Sequence, residues 1–325
     1  MIPPYTGGSL TMFAPLIAMH IPDGFLTVPV ALVGWIVMSV VVGIALRQTR
    51  HQLGERQIPL MGILAAFIFA AQMINFPVMG GTSGHLIGGA LIGILLGPWA
   101  AVLVMTTVVA VQAVLFQDGG LLALGFNTIN MGILAPFVGH TVYSRLCKVL
   151  KKELAAAAIA AWLTVIIAAA ATALELAISG TSPLDVALPA MLGIHALIGV
   201  GEALITVSAL AFIRQTRPDL LRTAVPIAKG SGWITVGLVI ALIIAFASPL
   251  ADSDPDGLER VAEDKAFLDQ AEDAPYEILP DYTVPFISDE ALTTIAAGII
   301  GVLVVAGIGY GVARVARQNE TISQT

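Results

Sequence analysis

Charge is scarce in this chain. Of 325 residues only 11% are Asp, Glu, Lys or Arg, whereas 57% are hydrophobic and the mean hydropathy is +0.91. A soluble domain carries about 25% charged residues, so the composition excludes an ordinary water-soluble protein and places the chain in a lipid bilayer. Cysteine is nearly absent. Cys147 stands alone, which excludes an internal disulfide and a thiolate metal cluster. No G-x-x-x-x-G-K-[ST] occurs, and Gly230-Ser231-Gly232 is too short to replace it, so no ATP is expected on this chain. No H-E-x-x-H pair is present, no period of about 20–50 residues recurs, and no nucleic acid is expected among the partners. What the chain does have is acid in one place: 13 of its 22 Asp and Glu lie between Asp252 and Glu290.

A helix that crosses the hydrocarbon core needs about 20 mainly apolar residues. Nine candidate segments stand out: 28–46, 58–78, 85–97, 98–117, 124–145, 155–178, 186–213, 231–248 and 291–313. Segment 85–97 is short and Gly-rich, and Gly97-Pro98 breaks the chain behind it. It and 98–117 therefore form either two spans or one bent hairpin that does not cross fully. The expected fold is all-α, a polytopic helical membrane protein of about seven spans plus a two-span C-terminal hairpin. Lys and Arg favour the cytoplasmic side. Thirteen of the 15 basic residues fall on one side if the chain starts outside, and only Arg260 and Lys265 fall opposite. That bias predicts an outer N-terminus, an inner C-terminus and an outer position for the acidic 249–290 segment. Four parts follow: an N-terminal extension 1–18, a membrane unit 19–215, a cytoplasmic linker 216–229, and the hairpin 230–325.

The same topology sorts the five histidines. His51 and His140 belong to the inner face. His20 precedes the first span and His85 opens the third, both outside, while His195 lies about 13 Å along the seventh at the helical rise per residue. His195 and Glu202 are seven apart and share a helical face, and ionisable groups inside a membrane are costly and usually functional. Glu175, near the outer end of the sixth span, is expected at the interface.

The words MHIPDGFL (Met19–Leu26), NFPVMGGTSGHLIGGAL (Asn75–Leu91) and HALIGVGEAL (His195–Leu204) resemble, in this order, the CbiM/NikM family. DPDGLERVAED (Asp254–Asp264), between two spans, resembles the PDGLE domain, a CbiN/NikN-like accessory fused to the same chain. The resemblance implies the substrate-binding membrane subunit of an energy-coupling-factor importer of Co²⁺ or Ni²⁺, multi-pass in the plasma membrane of a prokaryote. It implies partners as well: a transmembrane coupling subunit and two cytoplasmic ABC ATPases. It places the metal on the α-amino group of Met19, the amide and imidazole nitrogens of His20, and His85. Nitrogen donors of this kind suit Ni²⁺, and Cu²⁺ equally. Asp23, Ser83, His195 and Glu202 are expected to support these ligands or to line the ion's path.

Blander readings exist for each feature. IPDG alone is an ordinary turn with Asp23 capping a helix, and a lone His in a Gly-rich helix start is more often a satisfied polar residue. His195 and Glu202 fit a hydrogen bond between helices. The acidic segment fits a solvated linker, or a field that gathers cations, while the resemblance points to gating or docking. Other functional classes are an intramembrane metal-dependent enzyme built on His20, His85, His195 and Glu202, and a self-contained cation channel or secondary transporter. The amine ligand requires Met19 to be first, and 18 residues precede it. Translation starting at Met19, cleavage after Ala18, or retention with an altered site each account for that.

Overall fold

A computed structural model describes residues 20–50, 53–54, 57–218 and 232–318; Met19, the extension 1–18 and most of the linker lie outside the described residues. The order is α1 (Val28–Arg50), α2 (Gln57–Gln72), a hairpin of β1 (Phe76–Val78) and β2 (Thr82–Gly84), α3 (Gly89–Leu96) and α4 (Pro98–Val111). Next come α5 (Leu124–Asn127), α6 (Ala135–Leu150), α7 (Glu153–Ser179), α8 (Leu184–Thr216), α9 (Gly232–Phe246), the short α10 (Gly257–Asp264) and α11 (Glu290–Gln318). Wide π-helical turns extend α4 through Gln112–Phe116 and join α5 to α6 through Thr128–Leu134. Such turns concentrate at functional sites; here the first leads straight into the loop 117–123, and the second follows α5 behind that loop.

Among the described residues five helices are long and apolar enough to cross a bilayer: Val28–Arg50, Pro98–Phe116, Glu153–Ser179, Leu184–Thr216 and Glu290–Arg317. Gln57–Gln72 and Gly232–Phe246 are shorter apolar helices. The faces of α1 show what covers them: Val28, Leu32, Val33, Ile36 and Val40 are all more than half exposed. A contiguous apolar face of this kind is stable against lipid or against an apolar partner helix, not against water.

Two expected spans are corrected. The second ends at Gln72, because the chain turns into β1, where Pro77 can donate no helical hydrogen bond. The third does not begin at His85. Residues 85–88 have no regular secondary structure, Gly88 takes a left-handed φ of 77°, and the helix α3 has 8 residues. At 1.5 Å per residue it rises about 12 Å, less than half of the ~30 Å hydrocarbon core. Gly97, at φ 80°, turns α3 into α4, and Pro98 takes the first helical position, where no N–H is needed, while Pro98–Phe116 by itself is long enough to cross.

Small residues let the helices approach closely. The buried seam of α7 consists largely of alanines, among them Ala157, Ala161, Ala169 and Ala173, the packing that replaces hydrophobic burial in a membrane. α11 lies against α2 in the same way: a Cβ on Gly62 would meet the Ala306 carbonyl oxygen at 2.7 Å, and one on Gly309 the Ala65 Cβ at 3.1 Å. The C-terminal hairpin is thus packed into the bundle, and its loop reaches over one end of it.

Candidate metal site

The first wall of the site is the segment before α1. The Asp23 carboxylate accepts from the backbone N–H groups of Leu121, Leu122 and Ala123 at 2.9, 2.8 and 3.1 Å. Ile21 and Asn127 exchange two hydrogen bonds, and the Gly120 N–H donates to the Ile21 carbonyl. These bonds stitch residues 20–27 to the loop 117–123 and drive the His20 side chain inward. His20 is 4% exposed, and its Nδ1 lies 2.9 Å from Asp118 Oδ1. Burial disfavours a charged imidazole, but the adjacent Asp118 carboxylate outweighs it and holds His20 above the usual histidine range. Burial likewise pushes Asp118 up, yet His20 outweighs it and brings the carboxyl down. Nε2 of His20 is buried with no hydrogen-bond partner.

The second wall is the unwound stretch that carries His85. Non-helical backbone inside a membrane protein must find partners among side chains. Here the Ile87 and Gly88 N–H groups donate to the two carboxylate oxygens of Glu202 at 2.6 and 2.9 Å, and Gln72 Nε2 donates to the Ile87 carbonyl at 3.0 Å. Glu202 is fully buried in α8. His85 Nδ1 donates to the Leu86 carbonyl, and the rings of His20 and His85 meet edge to face with centroids 5.5 Å apart. Nitrogens bind a divalent ion at about 2.0–2.1 Å, so two imidazoles on one ion have centroids within ~6 Å. The observed pair meets that spacing.

His195 completes the floor. Its Nδ1 donates to the Met191 carbonyl one turn back at 2.8 Å, which leaves Nε2 as the acceptor. His20, His85 and His195 line one cavity of about 80 Å³ together with Asn127, Asn130 and Asp256, room for an ion and a few waters. Among the described residues no group of three or more His, Cys, Asp or Glu is set to hold a metal ion, so backbone nitrogens or water would have to complete a coordination shell.

The roof comes from the acidic loop. Ser83 donates through its N–H to the Pro255 carbonyl and through its hydroxyl to the Asp254 carbonyl, while the Asp252 N–H donates to the Asn75 carbonyl. The Glu272 N–H donates to the Asp23 carbonyl. Asp256 starts α10 in a capping box with Glu259 and is 4% exposed above the cavity. Gly257 lies tight against α8: a Cβ would lie 2.6 Å from Ile198 Cδ1 and 2.9 Å from His195 Cε1, so any side chain here requires one of them to shift. The reading of this segment as a solvated linker is therefore corrected, because its first half is folded onto the mouth of the cavity.

Of the residues expected from the sequence, His20, His85 and His195 converge, Ser83 and Glu202 hold the parts in place, and Asp23 is spent on three backbone N–H groups. Met19 lies outside the described residues. Glu175 is corrected from interfacial to buried: it is 6% exposed and accepts from Asn130 Nδ2 at 2.9 Å. Sequence reasoning missed Asp118, Asn127 and Tyr282, whose contacts join segments more than 90 residues apart.

Residues 20–220 match the family model described as the cobalt uptake substrate-specific transmembrane region, CbiM, and residues 231–318 match the PDGLE domain. The chain is 40% identical over 304 residues to the "Putative fused nickel transport protein NikMN" of Archaeoglobus fulgidus, covering 92% of this chain and 99% of that protein. It is 34% identical to the "Probable fused nickel transport protein LarMN" of Lactiplantibacillus plantarum, with 69% and 73% of the two chains covered. A crystal structure titled as a truncated transition metal transporter matches with a TM-score of 0.56 at 36% identity, over 60% of this chain and 98% of that one.

Proposed function

The chain belongs to the CbiM family and carries a fused PDGLE domain, and from that premise we propose that it captures Co²⁺ or Ni²⁺ for an energy-coupling-factor importer. It is a multi-pass membrane component of metal uptake, a transporter rather than an enzyme. The observation that carries the finer reading is the meeting of His20 and His85, from distant parts of the chain, at 5.5 Å in a buried cavity. His20 and His85 supply imidazole nitrogens to the ion, and Met19 supplies its amine where it is the first residue. Ser83 and Glu202 keep the His85 stretch in place, Asp23 does the same for His20, and His195 lies where the ion would pass inward.

The membrane is the plasma membrane of a prokaryote, with the cavity at its outer face, as the distribution of Lys and Arg supports. Energy comes from partners, a transmembrane coupling subunit and two cytoplasmic ABC ATPases, since the sequence holds no phosphate-binding loop. Radiometal uptake by cells with the full set of partners, in competition with unlabelled Co²⁺ and Ni²⁺, tests the assignment. His20→Ala is expected to abolish uptake, and unchanged uptake in that variant would overturn the capture site. Uptake that persists without the ATPases would instead favour a self-contained channel.

A further inference from the structure

Apart from the metal cavity, the pair α7 and α8 carries a second hollow. Along α8, Ile198 lines the cavity, while Val200, two residues on and so on the far face of the helix, lines the other. This groove, of about 540 Å³, is walled by Leu154, Ala158 and Trp162 of α7 and by Val200, Ala203 and Leu204 of α8. Sites that hold a small molecule have ~300–1,000 Å³. The small side chains of Ala158 and Ala203 leave the space, and Val200 and Leu204, both more than half exposed, stand beside it. The indole N–H of Trp162 is spent on the Ala196 carbonyl, to which it donates at 2.9 Å. Trp162 thereby closes one end of the groove, about 12 Å along α7 from Leu154 at the helical rise per residue.

The other end is basic. Lys151 and Lys152 immediately precede α7 and are exposed. Glu153, the first residue of α7, is ion-paired at 2.8 Å with Arg214 of α8, so its charge is spent in bridging the two helices. Among the described residues Lys151 and Lys152 have no carboxylate partner. We propose that the groove binds an anionic glycerophospholipid of the cytoplasmic leaflet, with an acyl chain against Ala158 and Ala203 and the phosphate at Lys151 and Lys152. The length decides between a lipid and a helix. A groove of about 12 Å matches one leaflet, half of the ~30 Å hydrocarbon core, and is too short to seat a helix that crosses both. The charge selects the headgroup, since basic pockets between membrane helices on the cytoplasmic side take anionic lipids. A chain seated there braces α7 against α8, the helix that carries His195 and Glu202. The proposal rests on the orientation that Lys and Arg support, and not on which residues hold the ion.

The test is fluorescence quenching of Trp162 in the full chain, reconstituted in vesicles that contain lipid with brominated acyl chains. Trp35→Phe, Trp99→Phe and Trp233→Phe leave Trp162 as the sole indole. Brominated phosphatidylglycerol is expected to occupy the groove at least about fivefold more readily than brominated phosphatidylcholine. Lys151→Ser together with Lys152→Ser should bring that ratio close to one, and Ala203→Leu, which fills the groove, should lower quenching by both lipids. Equal quenching by the two lipids before those changes, or a preference that survives the loss of both lysines, would overturn the proposal. A photocrosslinking residue in place of Leu204, in cells that hold every partner subunit, is the second measurement, and it decides should the sole-indole variant fail to fold. Adducts with phospholipid are expected. Adducts with a partner's helix or with a second copy of this chain, in place of lipid, would overturn the assignment. Metal binding is no part of either readout, so failure here leaves the capture site standing.

Discussion

His85 is carried on an unwound stretch whose backbone is satisfied by Glu202 and Gln72, both on membrane helices of the CbiM region. His20, by contrast, is held by a charge pair whose far end is Tyr282, inside the PDGLE domain. The backbone just after His85 is satisfied within the first domain, whereas the second domain reaches Ser83, two residues before His85, finishes the other wall and adds the roof at Pro255–Leu258. The fusion is therefore more than a tether. It places residues of the second domain within hydrogen-bond reach of groups around the cavity, so damage to the two walls should have different reach.

Glu202→Ala should break the comparison most strongly. It leaves the Ile87 and Gly88 N–H groups buried without acceptors, at about 1–3 kcal/mol each, and frees the stretch that carries His85. A melting temperature lowered by several degrees and loss of Co²⁺ binding are expected, with the roof contacts unaffected. Glu202→Gln, whose amide can accept from one of the two N–H groups but presents a donor to the other, should lose less. Retention of binding by Glu202→Ala would show that His85 does not depend on this carboxylate.

Gly257→Leu should act first on the roof, and more mildly, reaching the His85 stretch only through the bonds of Ser83 to Asp254 and Pro255. The new side chain collides with Ile198 and His195, so the roof must lift, while Glu202 and Gln72 continue to hold His85. Trypsin then has better access to the exposed Lys265 behind α10, and faster cleavage there in reconstituted protein is the measure. A cleavage rate equal to wild type would mean that the roof accommodates the side chain without opening.

The contrast between the walls also explains what the sequence disclosed. His195 and Glu202 were legible because an ionisable group in an apolar run is conspicuous by its cost, and His20 and His85 because the words around them resemble the CbiM/NikM family. Helix α3 was legible only as an irregularity, since Gly88 and Gly97 mark where regular structure stops but not what satisfies the freed backbone. Asp118 was illegible. It stands in a loop with glycines, where an Asp is ordinary, and its meaning comes from His20, 98 residues away, and Tyr282, 164 residues away. Asp256 was seen as one acid among 13 and as part of the PDGLE-like word, with no place at the site. Its difference from the others is burial, and composition does not report that.

The smallest expected effect concerns the roof and pH. Burial lifts Asp256 from an ordinary 3.8 to about 7, against the opposing effect of the backbone N–H of Glu259, and lifts Glu259 from 4.5 to about 7. His20 and Glu263 are the charged neighbours that modify this. A carboxyl whose value is higher in the docked loop than in the free loop binds its proton more tightly when docked. Docking therefore strengthens as pH falls from about 7 towards 4, is weakest and flat above that window, and is strongest and flat below it. One group changes the equilibrium at most about tenfold per pH unit, and Glu259, which is partly exposed, contributes less than that limit. Amide exchange over residues 257–264, corrected for the intrinsic rate, should show protection rising as pH drops from 8 to 5. Asp256→Asn should reduce the slope to what Glu259 supplies, without touching the protection of the 85–88 stretch. Protection that rises with pH instead would mean that the ionised carboxylates are stabilised in the docked loop, and the roof would then close most tightly where these shifts say it loosens.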